Sequence, residues 1–328
     1  MITVRSFAKI NVGLRIGAAR ADGFHELRTI YQTIRLHDLI AVSVVGGSGI
    51  EIRCEDSRVP CDESNTCYRV AERVMHQLRA KGRVVIGIHK RLPVQSGLGG
   101  ASSNAVSVLL ALEQVLKKVL PGQERLRVAA EVGSDVPLFL LGGTTLGVGR
   151  GEEVYPLPDL PATTCVVAAP DIGVSTPEAF RDWDRARVGN GKLTGCAISD
   201  KMNEFGRAVS WWLSGFSAKS GKPLSGVPAR GRGRGETLLL DLVHTGIEND
   251  FEKVVFPKYP ELCEIKQALE KAGAFHASLS GSGSALYGLF QRRERARKCA
   301  ARLRKQGISA TATTTLTRRQ YWREFLVF

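Results

Sequence analysis

Apolar residues recur along the chain at two different intervals, and the change from one to the other marks out its elements. From Ser64 to Lys81, Cys67, Val70, Ala71, Val74, Met75 and Leu78 fall three and four apart, which puts them on one face of a helix. Ser64 stands where an N-cap hydroxyl would hold the first free amides. The next run, Arg83-Val84-Val85-Ile86-Gly87-Ile88-His89-Lys90, is short and rich in branched side chains, and it stops at Pro93, as a strand should. A loop follows, Pro93-Val94-Gln95-Ser96-Gly97-Leu98-Gly99-Gly100-Ala101-Ser102-Ser103. From Ser102 a second helix is expected, carrying Ala105, Val106, Val108, Leu109, Leu112 and Val115 toward the breakers Pro121 and Gly122. The order is strand, glycine loop, helix.

The second half alternates in the same way. Pro260 to Gly273 reads as a helix with proline in its first turn, Leu262, Ile265 and Leu269 on one face, and glycine at its end. A strand or loop through Ser278 to Phe290, a basic helix from about Arg292 to Gln306 and a strand from Ile308 to Thr315 complete an α+β pattern. A composition shift at Pro156 to Pro161 suggests two domains, 1–158 and 159–328. An insertion at about 185–245 interrupts the second. Within it Ser214 to Gly235 holds Lys219, Lys222, Arg230, Arg232 and Arg234 among glycines and no acidic residue, so a flexible surface loop is expected.

Composition narrows the function. With 328 residues, 43% of them hydrophobic, the chain can bury a large core. No apolar run reaches the roughly 18 residues that span a bilayer, and the opening residues lack a secretory pattern, so no membrane partner and a cytoplasmic location are expected. Seven scattered cysteines, an odd number without metal-site spacing, read as reduced packing thiols. A net charge of +14 suits either a nucleic-acid partner or an enzyme whose substrates are polyphosphate anions. No aromatic residue lies among the arginines at 230–234 to stack on bases, which makes nucleic acid the weaker alternative.

The chemistry concentrates in three places. Glycines at 97, 99 and 100 allow amides to converge at the positive end of the following helix, the makings of a phosphate cradle. Neither the Gly-x-x-x-x-Gly-Lys pattern nor the dinucleotide fingerprint fits this loop. Asp135, in Gly133-Ser134-Asp135-Val136-Pro137, is either a turn carboxylate or an acceptor for a hydroxyl proton. Lys9, in Ala8-Lys9-Ile10-Asn11, is either a surface lysine or a cation that stabilises a transferring phosphoryl group.

Taken together these segments resemble the GHMP kinases, named for galactokinase, homoserine kinase, mevalonate kinase and phosphomevalonate kinase. Ala8-Lys9-Ile10-Asn11 and Asp22-Gly23-Phe24-His25 are similar to the branch that phosphorylates a cytidylated methylerythritol. Lys90-Arg91-Leu92-Pro93, Ser134-Asp135-Val136-Pro137, Thr176-Pro177-Glu178-Ala179-Phe180, Asn249-Asp250-Phe251-Glu252 and Ser280-Gly281-Ser282-Gly283-Ser284 follow in family order. The resemblance implies an ATP-binding amino-terminal domain and a ferredoxin-like carboxyl-terminal domain with the active site between them. It also implies phosphorylation of the substrate's 2-hydroxyl, a step toward isoprenoid precursors by the non-mevalonate route, with mevalonate- or homoserine-type kinases as the alternatives.

In that frame Asp135 is the base and Lys9 polarises the hydroxyl. Residues Pro93 to Ser103 wrap the ATP phosphates, and Ser102 or Ser103 reaches a magnesium ion. Asn11, Phe24, His25, Tyr31, Thr176, Pro177 and Phe180 select the substrate, two aromatic faces sandwiching a cytosine whose edge the histidine bonds. Phe24 replaces a tyrosine common in the family, and Ala101 a glycine; stacking survives the first change, and alanine suits the first turn of a helix.

Overall fold

The computed structural model describes residues 1–189, 195–217 and 247–327. Two long strands, β1 (Ile2–Ala19) and β2 (His25–Val45), form an antiparallel hairpin in which Asn11 faces Tyr31 and Lys9 faces Thr33. β2 continues the sheet on both sides, pairing with β4 (Arg83–His89) and with β5 (Thr144–Val148). β3 (Ile50–Cys54) lies parallel to β4, and α1 (Thr66–Gln77) makes the crossover between them; β6 (Glu153–Pro156) closes the far edge. α1 and α2 (Gly100–Leu116) cover one face, burying Val70, Val74, Ile86, Val106 and Leu109 in a common core.

Two helix starts differ from expectation. Asn65, not Ser64, caps α1: its Oδ1 accepts from the Cys67 amide at 2.8 Å, while the Ser64 hydroxyl turns to Asp62 at 2.6 Å. α2 begins at Gly100, two residues early, because its cap Gly99 adopts φ +71, and any Cβ there would sit 2.9 Å from the Phe139 ring. Glycine meets both demands without strain. The helix also ends sooner, at Leu116, and α3 (Gly122–Val132) follows as a separate element.

The second sheet contains β7 (Thr164–Ala169), β8 (His276–Leu279), β9 (Leu286–Phe290) and β10 (Ser309–Thr314), in the order β10-β7-β9-β8 with every pair antiparallel. In chain order that is 4-1-3-2, the ferredoxin-like arrangement. α4 (Thr176–Gly189), α5 (Gly195–Ser217), α6 (Glu252–Lys258) and α7 (Pro260–Lys271) connect β7 to β8, and α8 (Arg293–Lys305) connects β9 to β10. α9 (Arg318–Phe325) then returns to the first sheet, where the Tyr321 hydroxyl donates to the Phe139 carbonyl at 2.8 Å.

α5 lies inside the insertion that the sequence marks only by its basic, glycine-rich stretch. Met202, Phe205, Val209 and Trp212 repeat at helical spacing and are buried, the last three in the core shared by β1, β2, β7 and β9. The loop expected over Ser214 to Gly235 is corrected at its start, because α5 continues through Ser217; the rest of it, from residue 218 onward, lies outside the described residues. Trp212→Ala should cost about 3–5 kcal/mol, the range for emptying a large buried side chain. Urea unfolding would record this as a lower midpoint at unchanged slope, and a loss below about 1 kcal/mol would mean that α5 is dispensable to the core.

Among the described residues no helix is long and apolar enough to cross a membrane. The six described cysteines are free thiols, with Cys67, Cys165 and Cys299 buried.

Candidate active site

Side chains two apart on a strand share a face, so Lys9 and Asn11 project together from β1, and the register sets Tyr31 of β2 beside them. Lys9 is only 3% exposed, and its ammonium donates to Asn11 Oδ1 at 2.6 Å. Asn11 is fixed in turn by donating to Thr29 Oγ1 at 2.8 Å. Asp135 arrives from outside the sheet, on the turn after α3, before a 3-10 turn at Pro137–Leu140 leads back into the core. Its Oδ2 lies 3.3 Å from Lys9 Nζ, and its Oδ1 accepts from the Tyr31 hydroxyl at 3.0 Å. Burial, reinforced by the Asp135 charge, pushes the Tyr31 phenol well above its usual range, which keeps it a donor. One third of Asp135 remains exposed, so the carboxylate is held by a cation and a phenol while one side stays open.

That open side meets a cavity of about 350 Å³ lined by Pro93 to Ser102 together with Asn65, Lys90 and Asp135. The first amides of α2 have no acceptor within the helix, and its dipole adds positive potential there. Gly97, at φ +79, is required by a close approach: a Cβ would come within 2.0 Å of the Ser280 carbonyl. The loop therefore packs on the turn between β8 and β9, with Ser280 Oγ donating to the Gly97 carbonyl at 3.0 Å and the Ala285 amide to the Ser96 carbonyl at 3.0 Å. Asn249 holds that turn by donating to the carbonyls of Leu279 at 2.9 Å and Gly281 at 2.8 Å.

The two serines offered for a metal separate. Ser102 lines the cavity, whereas Ser103 is 1% exposed and accepts from the Ser6 hydroxyl at 2.8 Å. Among the described residues no group of three or more His, Cys, Asp and Glu side chains could hold a metal ion.

The residues expected to select the substrate also fall into groups. Asn11 and Tyr31 sit with Lys9 and Asp135. His25 lies six residues before Tyr31 on the same face of β2, about 20 Å away at strand rise. Its ring stacks on Phe180 of α4 with centroids 5.0 Å apart and an interplanar angle of 12°, and Nε2 is 2.9 Å from Asp184 Oδ1. Thr176, at the start of α4, shares a hydrogen bond of 2.7 Å with Ser282, and Pro177 is exposed next to it. Phe24 is 50% exposed and is not part of this stack; the Arg150 guanidinium lies over its ring at 4.9 Å.

Comparison with known proteins gives this geometry its family. Models described as GHMP kinases N terminal domain and GHMP kinases C terminal match residues 65–143 and 236–309. A 4-diphosphocytidyl-2-C-methyl-D-erythritol kinase of Solibacter usitatus is 42% identical over 290 residues, 88% of this chain and 81% of the relative. The chain belongs to the 4-diphosphocytidyl-2-C-methyl-D-erythritol kinase family. A relative of that name from Acaryochloris marina is 34% identical over 92% of this chain and 91% of its own length. A crystal structure of 4-(cytidine 5'-diphospho)-2C-methyl-D-erythritol kinase superposes with a TM-score of 0.70 at 29% identity, covering 95% of this chain and 98% of the other. A homoserine kinase from Cytophaga hutchinsonii reaches 0.69 at 20% identity, over 96% of this chain and 94% of its own, so the fold alone does not separate the substrates of GHMP kinases.

Within this GHMP kinase two residues at the glycine loop escape a reading of the sequence for chemistry. Asp38 is 0% exposed and accepts from Lys90 Nζ, the Arg91 amide and the Leu92 amide, each at 2.7 Å. Lys90 is thereby held beside Gly100, 3.3 Å from where a Cβ would stand, as a cation at the mouth of α2. The signal for Lys90 was its place just before Leu92-Pro93. Asp38 sits in a strand some fifty residues away and gave none.

Proposed function

We propose that this GHMP kinase transfers the γ-phosphoryl group of ATP to the 2-hydroxyl of 4-diphosphocytidyl-2-C-methyl-D-erythritol, in the cytoplasm, on the non-mevalonate route to isoprenoid precursors. The observation that carries the mechanism is the Lys9–Asp135 pair, 3.3 Å apart, opening on the cavity that the glycine loop lines. Asp135 takes the hydroxyl proton through its open side. Lys9 lies within reach of the same oxygen and offsets the charge that grows on it. Amides of Gly100 to Ser102 and the Lys90 ammonium hold the phosphates in line with the acceptor, and transfer is direct, without a covalent enzyme intermediate. Residues 1–158 bind the nucleotide, and 159–328 contribute α4 and the β8–β9 turn to the acceptor side.

Magnesium fits this donor set as an ion carried on the ATP phosphates, since it keeps most of its waters and asks little of the protein. Ser102 is the hydroxyl positioned for it. When bound, it would neutralise charge between the phosphates.

Asp22-Gly23-Phe24-His25 and the His25–Phe180 stack are what favour the cytidylated acceptor over mevalonate or homoserine. ADP release measured with all three acceptors in parallel tests this, and turnover of mevalonate or homoserine alone would refute it. His25→Ala should weaken the cytidylated acceptor by about 1–3 kcal/mol, the cost of an unpaired buried polar partner, while ATP affinity stays nearly unchanged. Equal losses for both ligands in paired titrations would place His25 outside the acceptor pocket.

A further inference from the structure

An acceptor that reaches from Asp135 to His25 carries a diphosphate between those ends, and two negative charges entering a partly closed cleft need a cation midway. The register of the first sheet points to one. β5 runs antiparallel to β2 with Thr29 opposite Gly147, and beyond that pair the Leu27 amide donates to the Gly149 carbonyl at 2.6 Å. The turn between β5 and β6, Gly149 to Glu152, thus lies alongside the stretch of β2 between His25 and Tyr31. Gly151 abuts the catalytic end, since a Cβ there would be 2.6 Å from the Tyr31 hydroxyl and 4.0 Å from Asp135 Oδ1. Its neighbour Arg150 reaches the other way, over the exposed ring of Phe24 at 4.9 Å, next to the residue that carries the imidazole.

We infer that Arg150 is the residue that recognises the diphosphate of the acceptor substrate, an inference that rests on the proposed function. Its backbone is set by flanking glycines at φ +69 and +99, and its amide donates to Glu152 Oε2 at 2.6 Å. On the side chain, Nε donates to Glu152 Oε1 at 2.9 Å. Among the described residues no hydrogen bond reaches either Nη atom, and the group is 30% exposed. The guanidinium is therefore oriented by Glu152 and Phe24, and its outer pair of nitrogens is left without a hydrogen-bond partner among the described residues. That pair matches two oxygens of a phosphate, a geometry a lysine cannot reproduce. Other cations nearby are engaged differently: Arg20 is paired with Asp22 at 3.2 Å and Glu26 at 2.9 Å, and Arg28 donates to the Met202 carbonyl at 2.5 Å.

The test separates this role from general acceptor binding. Steady-state turnover and direct titration would compare wild type with Arg150→Gln and Arg150→Lys, using the cytidylated acceptor, CDP, cytidine and ATP. Arg150→Gln should raise KM for the acceptor and Kd for CDP by about tenfold to a hundredfold, the loss of a charge-assisted contact, with kcat and ATP affinity retained. Cytidine, which lacks the phosphates, should bind both proteins equally, and Arg150→Lys should recover only part of the loss. An unchanged KM and CDP affinity in Arg150→Gln, with wild type turning over the acceptor, would overturn the assignment to Arg150 alone. A cytidine loss as large as the CDP loss would overturn it too, by showing that the arginine merely shapes the Phe24 surface. Wild-type protein that fails to phosphorylate the cytidylated acceptor would instead remove the proposed function itself.

Discussion

Asp135→Asn should fold, bind both substrates and lose turnover by about a hundredfold to ten-thousandfold, the range that a positioned general base contributes. The change is nearly isosteric. An amide oxygen can still accept from the Tyr31 hydroxyl, now 3.0 Å from Oδ1, but it cannot take a proton from an attacking hydroxyl. Lys9 loses its anionic partner at 3.3 Å and keeps Asn11 at 2.6 Å, so its position survives. Lys9→Met should likewise depress kcat more than binding, because the ammonium acts on charge that exists chiefly in the transition state. Single-turnover phosphoryl transfer with saturating ATP and acceptor reads the chemical step directly. A wild-type rate in Asp135→Asn would mean that the proton goes elsewhere and that the carboxylate only orders the cleft.

Asp38→Ala should be the most damaging single change to stability near the site, at about 3–5 kcal/mol, because it removes one partner of a buried ion pair. The carboxylate is 0% exposed and Lys90 only 9%, so water cannot replace what is lost. Two backbone amides, of Arg91 and Leu92, would be left unpaired as well, each of them now bonded at 2.7 Å. Against a typical total of about 5–15 kcal/mol, a loss of that size removes a large share of the stability that keeps the protein folded. Asp38→Asn is the informative companion: its oxygen can still serve the amides, so it should be milder in denaturant unfolding yet still weaken ATP through a misplaced Lys90. An unchanged unfolding midpoint in Asp38→Ala would show that the turn at 90–92 is held by something else.

How far the sequence disclosed this arrangement depended on whether a residue acts through its neighbours along the chain or through partners far away. The strand–loop–helix around Gly97 to Gly100 was legible because periodicity and breakers are local, and glycine at a left-handed position declares itself. The resemblance gathered Lys9, Asp135, His25 and Phe180 by motif, but it could not say that the Tyr31 hydroxyl donates to Asp135. That contact comes from the register between β1 and β2 and from a turn a hundred residues on. Asp38 was invisible for the same reason: a lone aspartate in a strand resembles any other until the amides of Arg91 and Leu92 fold onto it. α5 was missed differently. Its stripe of Met202, Phe205, Val209 and Trp212 was present in the sequence, but the basic residues after it drew the reading toward a loop.

The return of the last helix to the first sheet carries a consequence for synthesis. Val4 bridges to Leu326, Ile34 to Thr315, and Tyr321 packs against Phe7, so the first sheet borrows its final layer from the end of the chain. On the ribosome, β1 to β6 emerge about 160 residues before that layer, an interval on the order of ten seconds or more at ordinary elongation rates. During it Phe7 has His37 beside it but lacks Leu316 and Tyr321, the other members of its buried cluster. The nascent amino-terminal half must wait in a partly open state, exposed to chaperones and to aggregation, and it cannot be completed until the ferredoxin-like half has already been made.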